Sequence, residues 1–474
     1  MNILFASAEI APYSKAGGLA DVAGSLPHAL NAFANTTQVI SPLYGDIDQK
    51  KYRIEPKDIE GRITLGSMEY PYAVYSAMDP AHPKTSKWFI KSKAFFDRKG
   101  IYTDKAGEGF PDNNPRYFFF QLVILDLLEK ELIDCTIIHC NDHHTGLLPA
   151  LLKSSGINKK SIFTIHNFLY HGHFSKEELD LLPESVGGLL TLTQWDNYSA
   201  LLEGISHADI ATTVSKGYAK ELLAGENIDS ASHDRLLHLK NGLIGIVNGI
   251  DTEYWDPKSD DFIPHHYSCS DLSGKMENKR ALLKESGLPQ DLSAPLIGSI
   301  SRLVENKGFP LIIELLAGFV KKGVKFVFLG TGDPLIATQL KKLSTMYPEH
   351  IAFENGFNER FAHLIEAGSD MFLMPSRFEP CGLNQLYSLR YGTIPIVNKT
   401  GGLGDTVAQW SPGKGTGFIF EPYELQGLKE SIELAINTYQ SKSEWTALII
   451  RAMEEDYSWD WSAEQYYHLY ESEK

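Results

Sequence analysis

Short apolar runs rich in β-branched residues alternate with helical patterns along the whole chain. This alternation is typical of parallel sheets built from strand-helix-strand units, and it predicts an α/β protein with two doubly wound domains. The predicted strands of the first half are Asn2–Ala8, Thr37–Ser41, Thr136–Cys140, Ser161–His166 and Asp209–Val214. Those of the second half are Leu296–Ile300, Val324–Leu329, Ile351–Glu354, Asp370–Pro375, Thr393–Val397 and Gly417–Phe420.

The domain boundary is predicted near the middle of the chain. With 474 residues, 43% of them hydrophobic, the chain is long enough for two separate cores. The segment Gly245–Pro257 combines Asn-Gly and Asp-Pro turn signals with a loss of helical periodicity. We therefore predict a first domain over 1–246 and a second over 247–458. The last residues, 459–474, form a predicted helix that either caps the second domain or crosses back to the first.

Charge and cysteine content narrow the class of protein. A formal net charge of -16 disfavours nucleic acid and anionic membranes as partners. The four cysteines lack the spacing of a zinc ribbon or a redox dithiol, which fits a reducing compartment. No stretch approaches the roughly 20 apolar residues that span a bilayer, and no basic leader precedes the first strand. A cytoplasmic location is expected, and the oligomeric state is left open.

A lysine and two glycines follow the first predicted strand, where a helix opens near Leu19. Gly17 and Gly18 lack Cβ, so an anion can approach the backbone amides closely, and Lys15 adds a mobile positive charge. Glycines also serve tight packing, and for this loop taken alone both interpretations stand.

Two cations follow the first strand of the second half, in the predicted cleft. Arg302 grips phosphate through a planar fork and Lys307 supplies a compact charge, so the pair suits a diphosphate that becomes a leaving group. The alternative is a pair of solvated surface cations.

An acidic loop follows a later strand of the second half. Glu379 lies in the loop Pro375–Cys381, and the helix predicted over Gly382–Tyr391 turns its N-terminus to an anion. A carboxylate there would repel phosphate unless it accepts hydrogen bonds from sugar hydroxyls, and the alternative is an acid favoured by the helix macrodipole. Thr400-Gly401-Gly402 repeats the helix-opening pattern after the next strand.

Histidines cluster after two consecutive strands and invite a metal interpretation. The possible ligands are His139, Cys140, Asp142, His143, His144 and His166. Their spacing matches neither a helical zinc-protease pair nor a closed zinc ribbon, so we expect no metal. Neutral imidazoles and amides at strand ends are also suitable partners for sugar hydroxyls. No Walker loop occurs, and GTGDPL at 330–335 lacks the third glycine of a dinucleotide fingerprint.

Several ordered motifs together closely resemble the bacterial glycogen synthase and plant starch synthase family. They are KAGGLADV, TIHN, VNGID followed by Trp255, SRLVENKG, PSRFEPCGLNQLYSLRYGTIPIV and TGGLGDTV. The resemblance implies a GT-B fold, with two Rossmann-like domains facing across a deep cleft and the C-terminal helix packing back on the first. It implies a retaining glycosyltransferase that moves glucose from a nucleotide sugar, in bacteria usually ADP-glucose, to the nonreducing 4-hydroxyl of an α-1,4-glucan. ADP is released, and neither a metal nor another cofactor is required.

The resemblance also implies the site residues. The catalytic set is Lys15, His166, Arg302, Lys307 and Glu379. The nucleotide-sugar set is Lys15, Gly17, Gly18, Asn248, Arg302, Lys307, Gly356, Phe357, Glu379, Cys381, Gly382, Leu383 and Asn384, with Gly356 and Phe357 bordering the base. The sugar and acceptor set is Asp142, His166 and Asn167.

The chain departs from the family pattern at a few positions. Asn141-Asp142-His143-His144 replaces His-Asp-Trp-His, Phe96 replaces a tyrosine, and Asn384 replaces a threonine. Tyr387 stands eight positions after Glu379, where many retaining GT-B enzymes have a second glutamate, as is usual in this family. We therefore favour front-face transfer over a covalent intermediate. Two alternative functions stay open, namely a transferase with a small acceptor such as a sugar phosphate and a catalytically silent glucan-binding protein. The choice between ADP-glucose and UDP-glucose as the donor is also open.

Overall fold

The computed structural model describes residues 1–34, 36–78, 82–105 and 107–472. Glu473 and Lys474, the end of the predicted C-terminal helix, lie outside the described residues. The chain packs into two compact units, Met1–Gly249 with the segment from Trp459, and Ile250–Ser458. The division predicted between residues 246 and 247 lies three residues earlier than this one.

The first unit contains a nine-stranded sheet in the order β11-β10-β7-β6-β1-β2-β5-β4-β3 and a small pair, β8-β9. Its strands are β1 (Asn2–Ala6), β2 (Thr36–Pro42), β3 (Glu55–Leu65), β4 (Met68–Met78), β5 (Thr85–Lys91), β6 (Ile137–Asn141), β7 (Lys160–Ile165), β8 (His173–Phe174), β9 (Tyr198–Ser199), β10 (Ile210–Thr213) and β11 (Leu243–Gly245). Its helices before the crossover are α1 (Gly18–Ala29), α2 (Asn113–Glu129), α3 (Leu148–Ser154), α4 (Lys176–Leu179), α5 (Glu184–Gly187), α6 (Ala200–His207), α7 (Lys216–Leu223) and α8 (Ser230–Leu237). Short 3-10 turns cover Leu30–Ala32 and His143–Thr145.

The strands from β11 to β5 are parallel, and β4 and β3 extend the sheet as antiparallel neighbours. The parallel strands predicted from sequence are confirmed within one or two residues at each end because they are buried apolar runs. Strands β3, β4, β5, β8, β9 and β11 were missed. The β3-β4 hairpin alternates exposed and buried residues and turns at Gly66, whose φ of 61° suits a two-residue connection.

The second unit contains a six-stranded parallel sheet in the order β14-β13-β12-β15-β16-β17. Its strands are β12 (Leu296–Ile300), β13 (Lys325–Gly330), β14 (Ile351–Asn355), β15 (Met371–Met374), β16 (Ile394–Asn398) and β17 (Phe418–Phe420). Its helices are α9 (Ser273–Glu285), the 3-10 turn Glu305–Lys307, α10 (Phe309–Val320), α11 (Pro334–Met346), α12 (Glu359–Gly368), α13 (Asn384–Arg390), α14 (Gly401–Thr406), α15 (Leu425–Gln440) and α16 (Lys442–Glu454). In chain order this is 3-2-1-4-5-6, the doubly wound arrangement of nucleotide-binding sheets.

The start of the second unit is fastened to α13. The indole of Trp255 lies between the rings of His363 and Tyr387, with centroids 3.8 and 3.9 Å away and nearly parallel planes. Arg390 Nη2 donates to Asp256 Oδ2 over 2.8 Å. This clamp fixes the helix that follows the acidic loop.

The C-terminal helix α17 (Trp459–Glu471) packs on the first unit. Tyr470 Oη lies 2.7 Å from His139 Nδ1 in the middle of the sheet, and Ser462 Oγ donates to the carbonyl of Val247 over 2.6 Å. Lys160 Nζ donates to the carbonyls of Leu469 and Tyr470 at the C-terminal end of the helix. The helix dipole also favours a cation at this end. Among the residues that the structure describes, no helix has the length and apolar character needed to cross a bilayer.

Candidate active site

The second sheet reverses its strand order between β12 and β15, and ligands of open parallel sheets bind at such a switch point, beyond the carboxyl ends of the strands. The loop after β12 carries Arg302 and Lys307, and the loop after β15 carries Glu379. Lys307 Nζ donates to Glu379 Oε2, although the two residues are 72 positions apart in sequence. Lys307 and the predicted acid therefore meet at one edge of the sheet, and Arg302 lies in the same loop as Lys307.

Glu379 is buried, and both of its donors, Lys307 and Ser376, meet the same oxygen. Ser376 Oγ donates to Oε2 over 2.9 Å, whereas Oε1 accepts no hydrogen bond from the described part of the chain. The helix α13 begins only at Asn384 rather than at Gly382, and no side chain caps it. A capping role therefore does not explain Glu379, and a free carboxylate oxygen suits a sugar hydroxyl.

Two glycines allow the loops of this edge to come together. Gly308 ends the turn that carries Lys307 with a φ of 82°, and a Cβ there would lie 2.2 Å from the carbonyl oxygen of Pro375. A Cβ on Gly401 would lie 2.1 Å from the carbonyl oxygen of Glu379. The Gly402 amide donates to that same carbonyl over 3.2 Å, so the motif Thr400-Gly401-Gly402 supports the acidic loop through its backbone.

The remaining predicted residues of the second unit lie around these loops. Asn384 Nδ2 donates to the carbonyl of Ile300 over 2.7 Å and so ties the start of α13 to the end of β12. Gly382, with a φ of 74°, makes the turn before Leu383, and the thiol of Cys381 is buried. Gly356 and Phe357 follow β14 at the edge of the sheet, and 83% of Phe357 is exposed. Tyr387 packs on Trp255.

Arg302 is exposed and pairs with no carboxylate among the described residues, whereas only 16% of the Lys307 side chain is accessible. The surface-cation alternative therefore does not describe Lys307. Because Glu379 compensates the charge of Lys307, the unpaired guanidinium of Arg302 gives this edge its excess positive charge, in a chain whose total charge is -16.

In the first unit, the loop after β1 carries Lys15. Its Nζ lies 2.6 Å from Asp21 Oδ1, and 45% of the side chain is exposed. Gly17 has an extended backbone, and a Cβ built on it meets no atom within 4 Å, so internal packing does not require this glycine. The amides of Ala16 and Gly17 already donate to Glu9 Oε2, over 2.6 and 2.8 Å. Gly18 opens α1 after Gly17.

His166 lies at the end of β7 and is held in a single tautomer. Its Nε2 contacts Asn141 Oδ1 over 2.8 Å, and the amide of Asn141 is oriented because Nδ2 donates to the carbonyl of Ala6. The proton therefore lies on Nε2, and Nδ1 is an acceptor. Burial lowers the pKa of His166 to about 3, so the ring is neutral.

Asp142 positions the backbone beside this ring. Its Oδ1 accepts from the amides of His166 and Asn167 over 2.7 and 3.4 Å, and its own φ of 55° with ψ of 179° is a backbone conformation that is rare outside glycine. Burial raises the pKa of Asp142 to about 7, against the two amide hydrogen bonds that lower it. Asn248 is also buried, and its Oδ1 has no partner among the described residues.

The other histidines form a stack of neutral rings. The rings of His143 and His144 lie 3.7 Å apart, and His144 stacks on Tyr102 at 4.7 Å. Burial lowers the pKa of His143 to about 4 and that of His144 well below its usual value. Within the described ranges, no three His, Cys, Asp or Glu side chains are grouped so that they could share a metal ion.

Three residues with roles at these edges were missed from sequence: Glu9, Asn141 and Ser376. Glu9 directly follows the first predicted strand, and the strand-end argument that identified Glu379 would have found it as well.

Comparison with known proteins gives full-length matches. The model described as "Starch synthase catalytic domain" matches residues 2–238, and that described as "Glycosyl transferases group 1" matches residues 284–447. A glycogen synthase of Anaeromyxobacter dehalogenans strain 2CP-C is 40% identical, with 99% of each chain covered. One from Streptococcus gordonii is 37% identical, with 100% of each chain covered.

Two solved structures show the same architecture. The catalytic domain of starch synthase IV from Arabidopsis thaliana, bound to ADP and acarbose, matches with a TM-score of 0.90 and 32% identity, over 99% of this chain and 98% of that one. Sucrose-phosphate synthase from Thermosynechococcus elongatus matches with a TM-score of 0.60 at 16% identity over the same shares, and this likeness is one of fold alone.

Proposed function

The chain belongs to the glycogen and starch synthase family of GT-B glycosyltransferases, and on this premise we propose its substrates and its mechanism. It transfers glucose from ADP-glucose to the nonreducing 4-hydroxyl of an α-1,4-glucan, retains the anomeric configuration and releases ADP. The observation that carries the proposal is the meeting of Lys307 and Glu379 at the switch point of a nucleotide-binding sheet.

Arg302 and Lys307 stabilise the departing diphosphate. Negative charge develops on the phosphate oxygens as the bond between the glucose C1 and oxygen breaks, and preorganised cations lower the energy of that state. The Lys307 side chain is largely buried, so the attraction between its ammonium and the leaving group is poorly screened by water. Two cations supply the charge that a divalent ion supplies elsewhere, and we propose that no metal takes part.

Glu379 orients glucose through its hydroxyls. The carboxylate is held by Lys307 and Ser376 at one oxygen, and the other oxygen is the acceptor offered to the sugar. His166 Nδ1 is a second acceptor for a hydroxyl and, unlike the carboxylate, is neutral. Asp142 holds the backbone of His166 in place. Lys15 and the start of α1 bind the phosphate side of the donor. Gly356 and the exposed ring of Phe357 are proposed to border the adenine.

We favour front-face transfer for the chemical step. The C1–O bond to the diphosphate breaks, the acceptor O4 bonds to C1 on the same face, and the proton of the 4-hydroxyl passes to the leaving phosphate oxygen. The helix α13 carries no acid, and Tyr387, at the position of a second glutamate in related folds, is packed on Trp255. A glucosyl adduct trapped on Glu379 and shown to turn over would refute this step.

The test is a two-donor assay. The purified chain is incubated with glycogen or a maltooligosaccharide and with either ADP-glucose or UDP-glucose, and nucleoside diphosphate release and chain length are measured. We expect ADP release with chain elongation, undiminished by EDTA, and its loss in Lys307→Met.

The outcome separates the alternatives. Transfer to a sugar phosphate without elongation of a maltooligosaccharide would indicate a different small acceptor. Glycogen binding without release from either donor would indicate a silent glucan-binding protein and refute the proposal.

A further inference from the structure

We infer that Glu9 is a positioning residue whose buried side chain shapes the loop that presents Lys15, an inference that rests on the proposed role of Lys15 in donor binding. Glu9 lies three residues after the end of β1 and is 3% exposed. It belongs to none of the sets predicted from sequence.

One oxygen of Glu9 binds the backbone next to Lys15. Oε2 accepts from the amides of Ala16 and Gly17 over 2.6 and 2.8 Å. Successive amides that converge in this way before a helix form a typical anion-binding concavity. Here the chain fills that concavity with its own carboxylate, so these two amides serve the shape of the loop and the ligand meets Lys15 and the start of α1.

The other oxygen fastens Glu9 to the body of the unit. Tyr102 Oη donates to Oε1 over 2.6 Å, and the Tyr102 ring stacks on His144. His144 in turn contacts the edge of Tyr117 at 4.5 Å. Burial raises the pKa of Glu9, and the hydrogen bonds from Tyr102, Ala16 and Gly17 oppose that rise. Hydrogen bonds to both oxygens therefore hold the Glu9 carboxylate in one position.

The loop on the other side of Lys15 is closed on itself. Ile10 and Ser14 exchange backbone hydrogen bonds of 3.0 and 2.8 Å, and the Ala11 amide donates to the carbonyl of Ala20 over 3.0 Å. Lys15 thus stands between a closed turn and the two amides that Glu9 holds. Without Glu9 the closed turn remains, but the amides of Ala16 and Gly17 lose the one oxygen that both of them donate to. The backbone that carries Lys15 is then no longer held in place on this side.

The experiment is a double-mutant cycle between Glu9→Ala and Lys15→Ala. The Michaelis constant for ADP-glucose, kcat and the calorimetric affinity for ADP-glucose are measured for the wild type, both single variants and the double variant. We expect Glu9→Ala to weaken donor affinity about tenfold, because small displacements of a binding group have large effects. The loss caused by Lys15→Ala should be several-fold smaller in the Glu9→Ala background, since a mispositioned lysine contributes less.

Two further variants keep the test decisive. Tyr102→Phe removes one hydrogen bond to Glu9 and keeps the ring stacked, so it should weaken donor affinity with the same lack of additivity even if Glu9→Ala does not fold. Glu203→Gln is the matched control, because Glu203 is a fully buried acid of the same unit that pairs with Arg235 at 3.1 Å. This control should lower the melting temperature and leave donor affinity unchanged.

A merely structural role predicts a different pattern. If Glu9→Ala and Tyr102→Phe lower only stability, or if Lys15→Ala costs the same factor in every background, the inference is wrong. Absence of turnover in the wild type would instead count against the proposed function, and the calorimetric cycle would still decide the role of Glu9.

Discussion

Lys307 and Glu379 neutralise each other at the carboxyl ends of two adjacent strands of the second unit, β12 and β15. Both side chains are largely buried, so removing one of them would leave the other's charge buried without a partner. A variant of either residue is therefore expected to change stability as well as catalysis, and both have to be measured.

Replacing Lys307 tests the pair directly. Lys307→Met is expected to lower kcat by about two to three orders of magnitude, because the charge that stabilises the leaving group is lost. It should also lower the melting temperature, since Glu379 is left without its cation. Lys322→Met is the control, because Lys322 forms an exposed ion pair with Glu433 at 2.6 Å. An unchanged kcat in Lys307→Met would contradict the assigned role.

A substitution at Gly17 distinguishes a role in ligand approach from a role in internal packing. Because a Cβ there meets no protein atom within 4 Å and the backbone is extended, Gly17→Ala should fold with an unchanged melting temperature. Donor affinity should fall about tenfold, since the methyl group stands where the donor phosphate approaches the loop. Gly318→Ala, also open in space but in α10, should leave donor affinity unchanged. A lower melting temperature in Gly17→Ala without an effect on the donor would favour the packing interpretation.

The hydrogen bond between Tyr470 and His139 should contribute much of the free energy that holds α17 on the first unit. Tyr470→Phe leaves a buried ring nitrogen without its partner, and the free energy of unfolding should fall by about 1–3 kcal/mol. Denaturant unfolding and proteolysis of the C-terminal segment measure this. Tyr467→Phe removes an exposed hydroxyl from the same helix and should have no measurable effect. Equal behaviour of the two variants would show that the buried bond contributes nothing.

Buried neutral histidines predict acid sensitivity. Burial lowers the pKa of His139 and His166 to about 3 and that of His143 to about 4. In the unfolded chain each titrates near a pKa of about 6.5, so the unfolded state binds more protons below that pH. The contribution of these histidines to stability should be full above about pH 6.5 and fall towards pH 4, by about 1.4 kcal/mol per histidine and pH unit. Urea unfolding at several pH values checks this, and a flat profile between pH 6.5 and 4 would contradict it.

Asp142 should act with the opposite sign. Burial raises its pKa to about 7, above the unfolded value of about 3.9, so its contribution to stability falls as the pH rises between these two values. Asp142→Asn keeps an oxygen for the amides of His166 and Asn167 and removes the charge. Relative to the wild type, the variant should gain stability from pH 5 to pH 8 in urea unfolding. An unchanged difference across this range would show that Asp142 is ionised throughout.

The fold could be predicted wherever burial leaves a continuous apolar run. Leu296–Ile300 was predicted with the bounds that the structure has, because β12 lies in the centre of its sheet. The β3-β4 hairpin was missed because it is half exposed and antiparallel, and its charged residues such as Glu60 and Arg62 hide the alternation.

The site was predictable where charged residues lie in the loop that follows a strand. Lys307 and Glu379 both lie in such loops, and the shared sheet edge brings them together. The use of the Gly17 amide was not predictable. Which oxygen an N–H reaches depends on the loop conformation, and the sequence pattern is the same whether Glu9 or a phosphate accepts from it.

The return of α17 to the first unit also fixes an order of events during synthesis. His139 meets a partner 331 residues further along the chain, so the strand β6 leaves the ribosome long before Tyr470 exists. Domains commonly complete their folding from the N-terminus onwards as they emerge. In this chain the second unit, which ends at Ser458, is fully synthesised before the first has all of its parts. Translation that stops shortly before the end would therefore release a chain whose nucleotide-binding unit is whole and whose N-terminal sheet is still uncovered.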